Sequence, residues 1–372
     1  MDLQPWDYYD EKLAPKGNTA AVVSLLESVM KENPNHAGAL HLYVHAVEAS
    51  ADPQRGVVAA DRLRTLIPGS GHLVHMPAHI YARVGRWHDA VVANQAAIAA
   101  DNDYLATCGP NAKGVYPLGY VPHNPHFLWF AASMEGASKV AQDAARTTAQ
   151  RVNLPDLMRQ PGFAGLQHYW MTPWFDNVRF GRWDEIRAVP NPAPDLPYVT
   201  AIWNYAQAMA AIRQGRMEDA NTHYAALSKL AADPIMPTLM VWDRYPLAHA
   251  ANVAERTVNA ELALARGDQV AAIAALTEAV TIEDRIPYDE PPGWHSPVRQ
   301  SLGAALLVAG RAADAEKVYR EELSRNPQNG WSLKGLALAL RQQQKTEAAV
   351  AVEKQLQAAW QHADVQLVAS RF

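Results

Sequence analysis

The sequence predicts an all-α fold, an α-solenoid of about seven to eight helical hairpins with loop insertions. Three features predict it. Apolar residues recur at helical spacing among abundant Ala, Leu, Gln, Glu and Arg, while alternating strand-like runs are scarce. Glycine turns punctuate the chain at Gly85-Arg86, Gly181-Arg182, Gly215-Arg216, Gly267-Asp268 and Gly310-Arg311, where a helix C-cap needs a residue that accepts positive φ. The spacing also recurs: Gly181 and Gly215 stand 34 residues apart, as do Asn35 and Gly69.

Along the chain, turns are expected near Ala51, Gly85, Gly136, Gly181, Gly215, Gly267 and Gly310, with a degenerate last pair from Trp331. Trp87–Ala100 and Ala312–Ser324 read as amphipathic helices. The intervals are 34, 51, 45, 34, 52 and 43 residues, so some repeats carry insertions. The largest, around Cys108–Val121 and Ile286–His295, are rich in Pro, Gly and aromatics and read as ordered loops. Pro77 and Pro173 each lie eight residues before a turn, inside a first helix that they should kink. In HNPHF, Asn124 and Pro125 read as N-cap and first helical residue, which leaves His123 outside the helix. The whole chain, 1–372, is expected to form one superhelical domain. Histidine-rich repeats occupy 1–180 and more ordinary ones 181–372.

The segment SLGAALLVAGRAADAEKVYREELSRNPQNG resembles a tetratricopeptide repeat through Leu302, Gly303, Gly310, Ala315, Tyr319 and Pro327. HIYARVGRWHDAVVANQAAIAADND resembles it through Tyr81, Gly85, Ala90 and Ala97. Beyond that superfamily, HLYVHAVEAS, GHLVHMPAHIYARVGRW, YVPHNPHFL and the segment from Pro297 to Leu340 are similar to a histidine-rich group of bacterial tetratricopeptide proteins of largely unassigned function. The resemblance implies that the histidine motifs belong together and that one stripe of each first helix lines a concave groove. Members of that group carry further helices ahead of the equivalent of PWDYYD.

Composition bounds the function. There are 33 Lys and Arg against 38 Asp and Glu, a net charge of −5 with histidine neutral. That balance argues against sequence-independent nucleic-acid binding. The 49% hydrophobic and 19% charged residues suit a chain with a large core and exclude disorder for its bulk. A single cysteine, Cys108, excludes an internal disulfide framework and multi-cysteine metal sites. No run of about 18 apolar residues occurs. The opening MDLQPWDYYDEKLAP lacks a basic start and an apolar stretch. A cytoplasmic location without membrane contact is therefore expected. No G-x-S-x-G elbow, Walker loop, dinucleotide fingerprint or H-E-x-x-H is present, and no nucleotide cofactor is expected. Gly69–His72, GSGH, imitates a phosphate loop only superficially.

The histidines fall in register. Ten residues before a turn stand His41, His75 and His126; six before stand His45 and His79; thirteen before stand His72, His123 and His168. Steps of three, four and seven share one helical stripe, and Glu48 extends the first pair to H-x-x-x-H-x-x-E. Imidazole is the commonest metal ligand near neutral pH, so these eight histidines are candidate ligands for one or two transition-metal ions. Two histidines with Glu48 would favour iron, and an all-histidine set copper or zinc. Iron or copper is expected ahead of zinc. The competing reading is a groove that tolerates histidine or uses it to bind peptide.

Arg83, Arg179 and Arg213, each two before a turn, are candidates to hold a substrate carboxylate, and interhelical ion pairs are their ordinary alternative. Arg83 and Glu48 are the candidate catalytic residues. Tyr169 is a candidate substrate contact beside Trp170, although such aromatics, Trp129 included, are ordinarily core. The loop YDEPPGWH, with Tyr288, Glu290, Trp294 and His295, can cap a groove or simply pack. His36, His88, His223, His249 and His362 fall off the register.

The expected function is a metal-dependent oxidoreductase acting on a small polar or anionic substrate with dioxygen or water, a zinc hydrolase being its near competitor. The alternatives are a peptide-binding scaffold and a metal carrier or sensor. A protein partner or self-association through the repeat surface fits either class.

Overall fold

The structure, a computed structural model, describes residues 7–109 and 114–372. It is predominantly helical, and each helix packs mainly on its neighbours in sequence. The chain divides into two compact units. One comprises residues up to Ala132 together with Arg325–Gln328; the other comprises Ser133–Ser324 and Asn329–Phe372.

Six of the expected turns are built as anticipated. Gly85, Gly136, Gly181, Gly215, Gly267 and Gly310 have φ between +67° and +79°, the left-handed conformation that ends a helix and costs glycine nothing. The turn near Ala51 instead leads into a short 3₁₀ turn, Pro53–Gly56. The final pair, Gly330–Gln342 and Thr346–Ala359, turns at Gln344 with φ +59°.

In the first unit, Ala37–Val47 packs on Val57–Leu66, which packs on Pro77–Arg83, which packs on Trp87–Cys108. His36 caps the first of these, its Nδ1 accepting the Ala39 N–H at 3.1 Å. Leu40, Val44, Leu63, Ile80 and Phe127 form a buried core. Pro77 divides its helix into Gly71–His75 and Pro77–Arg83, because it offers no N–H to the carbonyl four residues back.

Asn124 and Pro125 do not start a helix. A π-helical turn, Tyr116–Tyr120, runs straight into Val121–Glu135, so His123 lies within the helix and Pro125 inside it. The Asn124 amide is taken by buried Asp101, Nδ2 donating to Oδ2 at 2.7 Å, rather than by the backbone. Part of the insertion around Cys108–Val121, residues 110–113, lies outside the described residues.

In the second unit, Pro173 produces the same division, into Gly165–Trp170 and Thr172–Arg179. Three longer hairpins follow, beginning at Pro197–Arg213, Ala248–Ala265 and Val298–Val308. Among the described residues of this unit the strands form one two-stranded ribbon, Met240–Val241 antiparallel to Tyr245–Pro246. Two glycines of this unit make room for one aromatic ring. A Cβ on Gly303 would stand 2.4 Å from the Tyr319 ring, and one on Gly335 2.2 Å from it. Tyr319 is fully buried between them.

Candidate metal centre

His41 and His45 project one turn apart from Ala37–Val47, and Glu48 follows as its C-cap. His72 and His75 lie on Gly71–His75, His79 on the helix after Pro77, and His123 on Val121–Glu135. Two all-histidine groups result, His41 with His45 and His72, and His75 with His79 and His123. In each, one ring nitrogen per residue lies within 4.8 Å of the others. Each group joins the ten-before and six-before histidines of one first helix to the thirteen-before histidine of the next.

The contacts are close. His72 Nε2 lies 3.0 Å from His41 Nε2, His75 Nε2 2.8 Å from His79 Nε2, and His123 Nε2 3.0 Å from His75 Nε2. Two nitrogens bound about 2.1 Å from a common ion stand about 3.0–3.4 Å apart, close to these spacings. The groups adjoin: the His72 and His75 ring centroids are 6.5 Å apart, those of His45 and His79 5.7 Å.

Neighbouring side chains fix where the protons sit. Asn94 Nδ2 donates to the Ala90 carbonyl at 2.8 Å, so Asn94 Oδ1 is the acceptor that faces His75 Nδ1 at 2.7 Å. His75 therefore carries its proton on Nδ1 and a lone pair on Nε2. Glu48 Oε2 faces His79 Nδ1 at 2.8 Å, which makes the same assignment for His79. Two lone pairs then meet at 2.8 Å, a repulsive contact that a cation between them would relieve. A second proton would relieve it only by charging a ring. Burial works against that, holding His41 at about 4, His72 at about 2, His123 at about 3 and His75 well below the ordinary imidazole value. Neutral imidazoles with fixed Nδ1–H groups are the form that ligates metal.

Glu48 meets a ring of each group and, beside His79, could itself ligate a metal ion. Its Oε1 accepts from His45 Nδ1 at 3.2 Å while Oε2 lies 2.8 Å from His79 Nδ1, so one carboxylate faces a ring of each group. Burial pushes its carboxyl pKa up, but the adjoining His79 and His45 outweigh that and hold it low.

A second buried acid, Asp101, supports His72. It accepts from Tyr116 Oη at 2.8 Å, and Tyr116 Oη in turn receives the His72 backbone N–H at 3.3 Å. A Cβ on Gly71 would lie 2.0 Å from Asp101 Oδ1. The glycine in GSGH thus makes room for this acid rather than cradling phosphate. Tyr120 meets His72 edge-on at 4.6 Å, and Phe127 covers His75 and His79 at 5.2 and 5.1 Å.

The remaining candidates lie elsewhere. His126 stacks on Trp129 at 5.4 Å and joins neither group. His168, in the second unit, has Nδ1 2.7 Å from the Tyr198 hydroxyl. Arg83 donates to the carbonyls of Glu48 at 2.9 Å and Ser50 at 3.3 Å, so it ties down the chain that carries that carboxylate. Arg179 lies over Trp331, Arg213 pairs with Glu261, and Tyr169 packs with Val152, Met158 and Leu166. Asn94 and Asp101 were not singled out in the sequence. They stand seven apart on the stripe of Ala90 and Ala97, and polar residues on an apolar stripe were the available signal.

These histidine groups can hold metal ions. Among the described residues, no helix is long and apolar enough to cross a membrane. No family model matches the chain, and no curated protein is detectably similar to it.

Proposed function

We propose that the chain is a metal-dependent oxidoreductase on a tetratricopeptide-like scaffold. Its two three-histidine groups would hold a pair of copper ions that activate dioxygen toward a small polar or anionic substrate. The observation that carries the reading is the contact between His75 and His79, where both protons are held away and both lone pairs face inward. The two all-histidine sets suit copper or zinc, and the redox reading selects copper.

When bound, copper supplies the one-electron chemistry that dioxygen requires. The chain's own residues do the rest. Asn94 and Glu48 keep Nδ1 protonated on His75, His79 and His45, Arg83 fixes the backbone at Glu48, and Phe127 and Tyr120 limit water at the rings.

The test is metal analysis of protein purified without a histidine tag after growth with copper, zinc and iron supplied. Two equivalents of copper per chain and dioxygen uptake are expected, and the His75→Ala, His79→Ala double variant should lose at least one equivalent. Zinc without oxygen uptake would move the reading to a hydrolase. Metal without turnover would leave a carrier or sensor. No bound metal would leave a peptide-binding scaffold.

A further inference from the structure

The second unit contains a different polar cluster. Arg179, Arg213 and Arg371 line one cavity of about 40 Å³ with Tyr205 and His295 in its wall. Arg213 pairs with Glu261 at 2.9 Å, and Arg371 pairs with the same carboxylate. Arg179 donates through Nη1 to Ser296 Oγ and Gln300 Oε1, both at 2.6 Å, and lies 3.9 Å over the Trp331 ring. Among the described residues no carboxylate contacts Arg179 directly, although buried Glu322 lies near enough to favour its charge.

Three guanidiniums therefore share one contacting acid. Four nitrogens are buried with no hydrogen-bond partner: Arg179 Nε and Nη2, Arg213 Nε and His295 Nδ1. Arg179 and His295 are each only 5% exposed. His295 Nε2 faces the Tyr205 hydroxyl at 3.5 Å, which leaves Nδ1 as the unsatisfied position. Buried cations and donors without partners are costly, and burial holds the Arg179 pKa down at about 9.

We propose that this cavity binds an oxyanion, a carboxylate or phosphate group, between Arg179, Arg213 and His295. The guanidinium fork matches either group. The cavity admits a small ion or one end of a larger molecule. This site belongs to the second unit alone and does not depend on the metal-centre reading.

The test is calorimetric titration of the full chain with inorganic phosphate and, separately, with acetate. Saturable one-site binding of at least one probe is expected, and the probe that binds identifies the source. Arg213→Gln and Arg179→Lys should each weaken it by about tenfold or more, while the His75→Ala, His79→Ala double variant leaves it unchanged. Ligand-induced thermal shift of the wild type provides a reading that needs no variant. Failure of both probes to saturate the wild type, or undiminished affinity in a folded Arg213→Gln protein, would overturn the proposal. Metal content is expected to be normal in Arg213→Gln.

Discussion

The two units bury histidines in opposite ways. In the first, His75 and His79 turn their protons to Asn94 and Glu48 and point bare nitrogens at one another. In the second, His168 turns Nδ1 to the Tyr198 hydroxyl and lies near the Phe175 ring at 5.3 Å. All three are buried, and burial depresses the pKa values of His75 and His168. Burial and repeat register therefore do not make a ligand. On the proposed reading, a ligand is made by a partner that fixes the proton on the far nitrogen and a second imidazole that faces the near one.

The largest expected effect removes that facing pair. The His75→Ala, His79→Ala double variant should lose stoichiometric metal at its group, read by elemental analysis, and still bind the anion probe in the second unit. Loss of both properties together would mean global unfolding and would break the comparison.

Next comes Glu48→Gln. The amide offers one acceptor and one donor where the carboxylate offered two acceptors, so either His45 or His79 meets an N–H and must move its proton to Nε2. That blocks one ligand lone pair. We expect one of the two ions to bind about 10–100-fold more weakly, measured by chelator competition. Asn94→Ala should act more narrowly and weaken the His75 group alone by about tenfold. Equal loss at both groups would show that Asn94 supports the fold rather than the tautomer.

The sequence made the helical class and the six glycine turns legible because both are local. A left-handed C-cap and an apolar stripe are written within a few residues of where they act. The divisions at Pro77 and Pro173 were legible for the same reason. Register also exposed the six histidines that form the two groups, since each group draws two members from one repeat and one from the next. It overshot at His126 and His168, because a third set would need histidine six before Gly136, where Phe130 stands. Asn124 misled because its cap signal is local, whereas Asp101, which claims it, comes from another helix. The part played by Glu48 was hidden for the same kind of reason. Its spacing to His45 is visible, but its second partner, His79, arrives across the fold.

The smallest effect is predicted at His168 and sharpens the comparison from the other side. Burial lowers its pKa from 6.5 to about 4. An unfolded chain binds this proton below about 6.5, while the folded one resists it until about 4. Protonation in that window therefore favours unfolding. The contribution to stability is complete above about 6.5 and declines as pH falls toward 4. His168→Phe removes the titrating ring and leaves the Tyr198 hydroxyl unpaired at a cost of about 1–3 kcal/mol. Its melting temperature should be lower at pH 7, yet fall less steeply between pH 6.5 and 4 than that of the wild type. Its metal content should be unchanged, as expected of a histidine outside both three-histidine groups; metal loss in a folded His168→Phe protein would place this residue with the ligands after all.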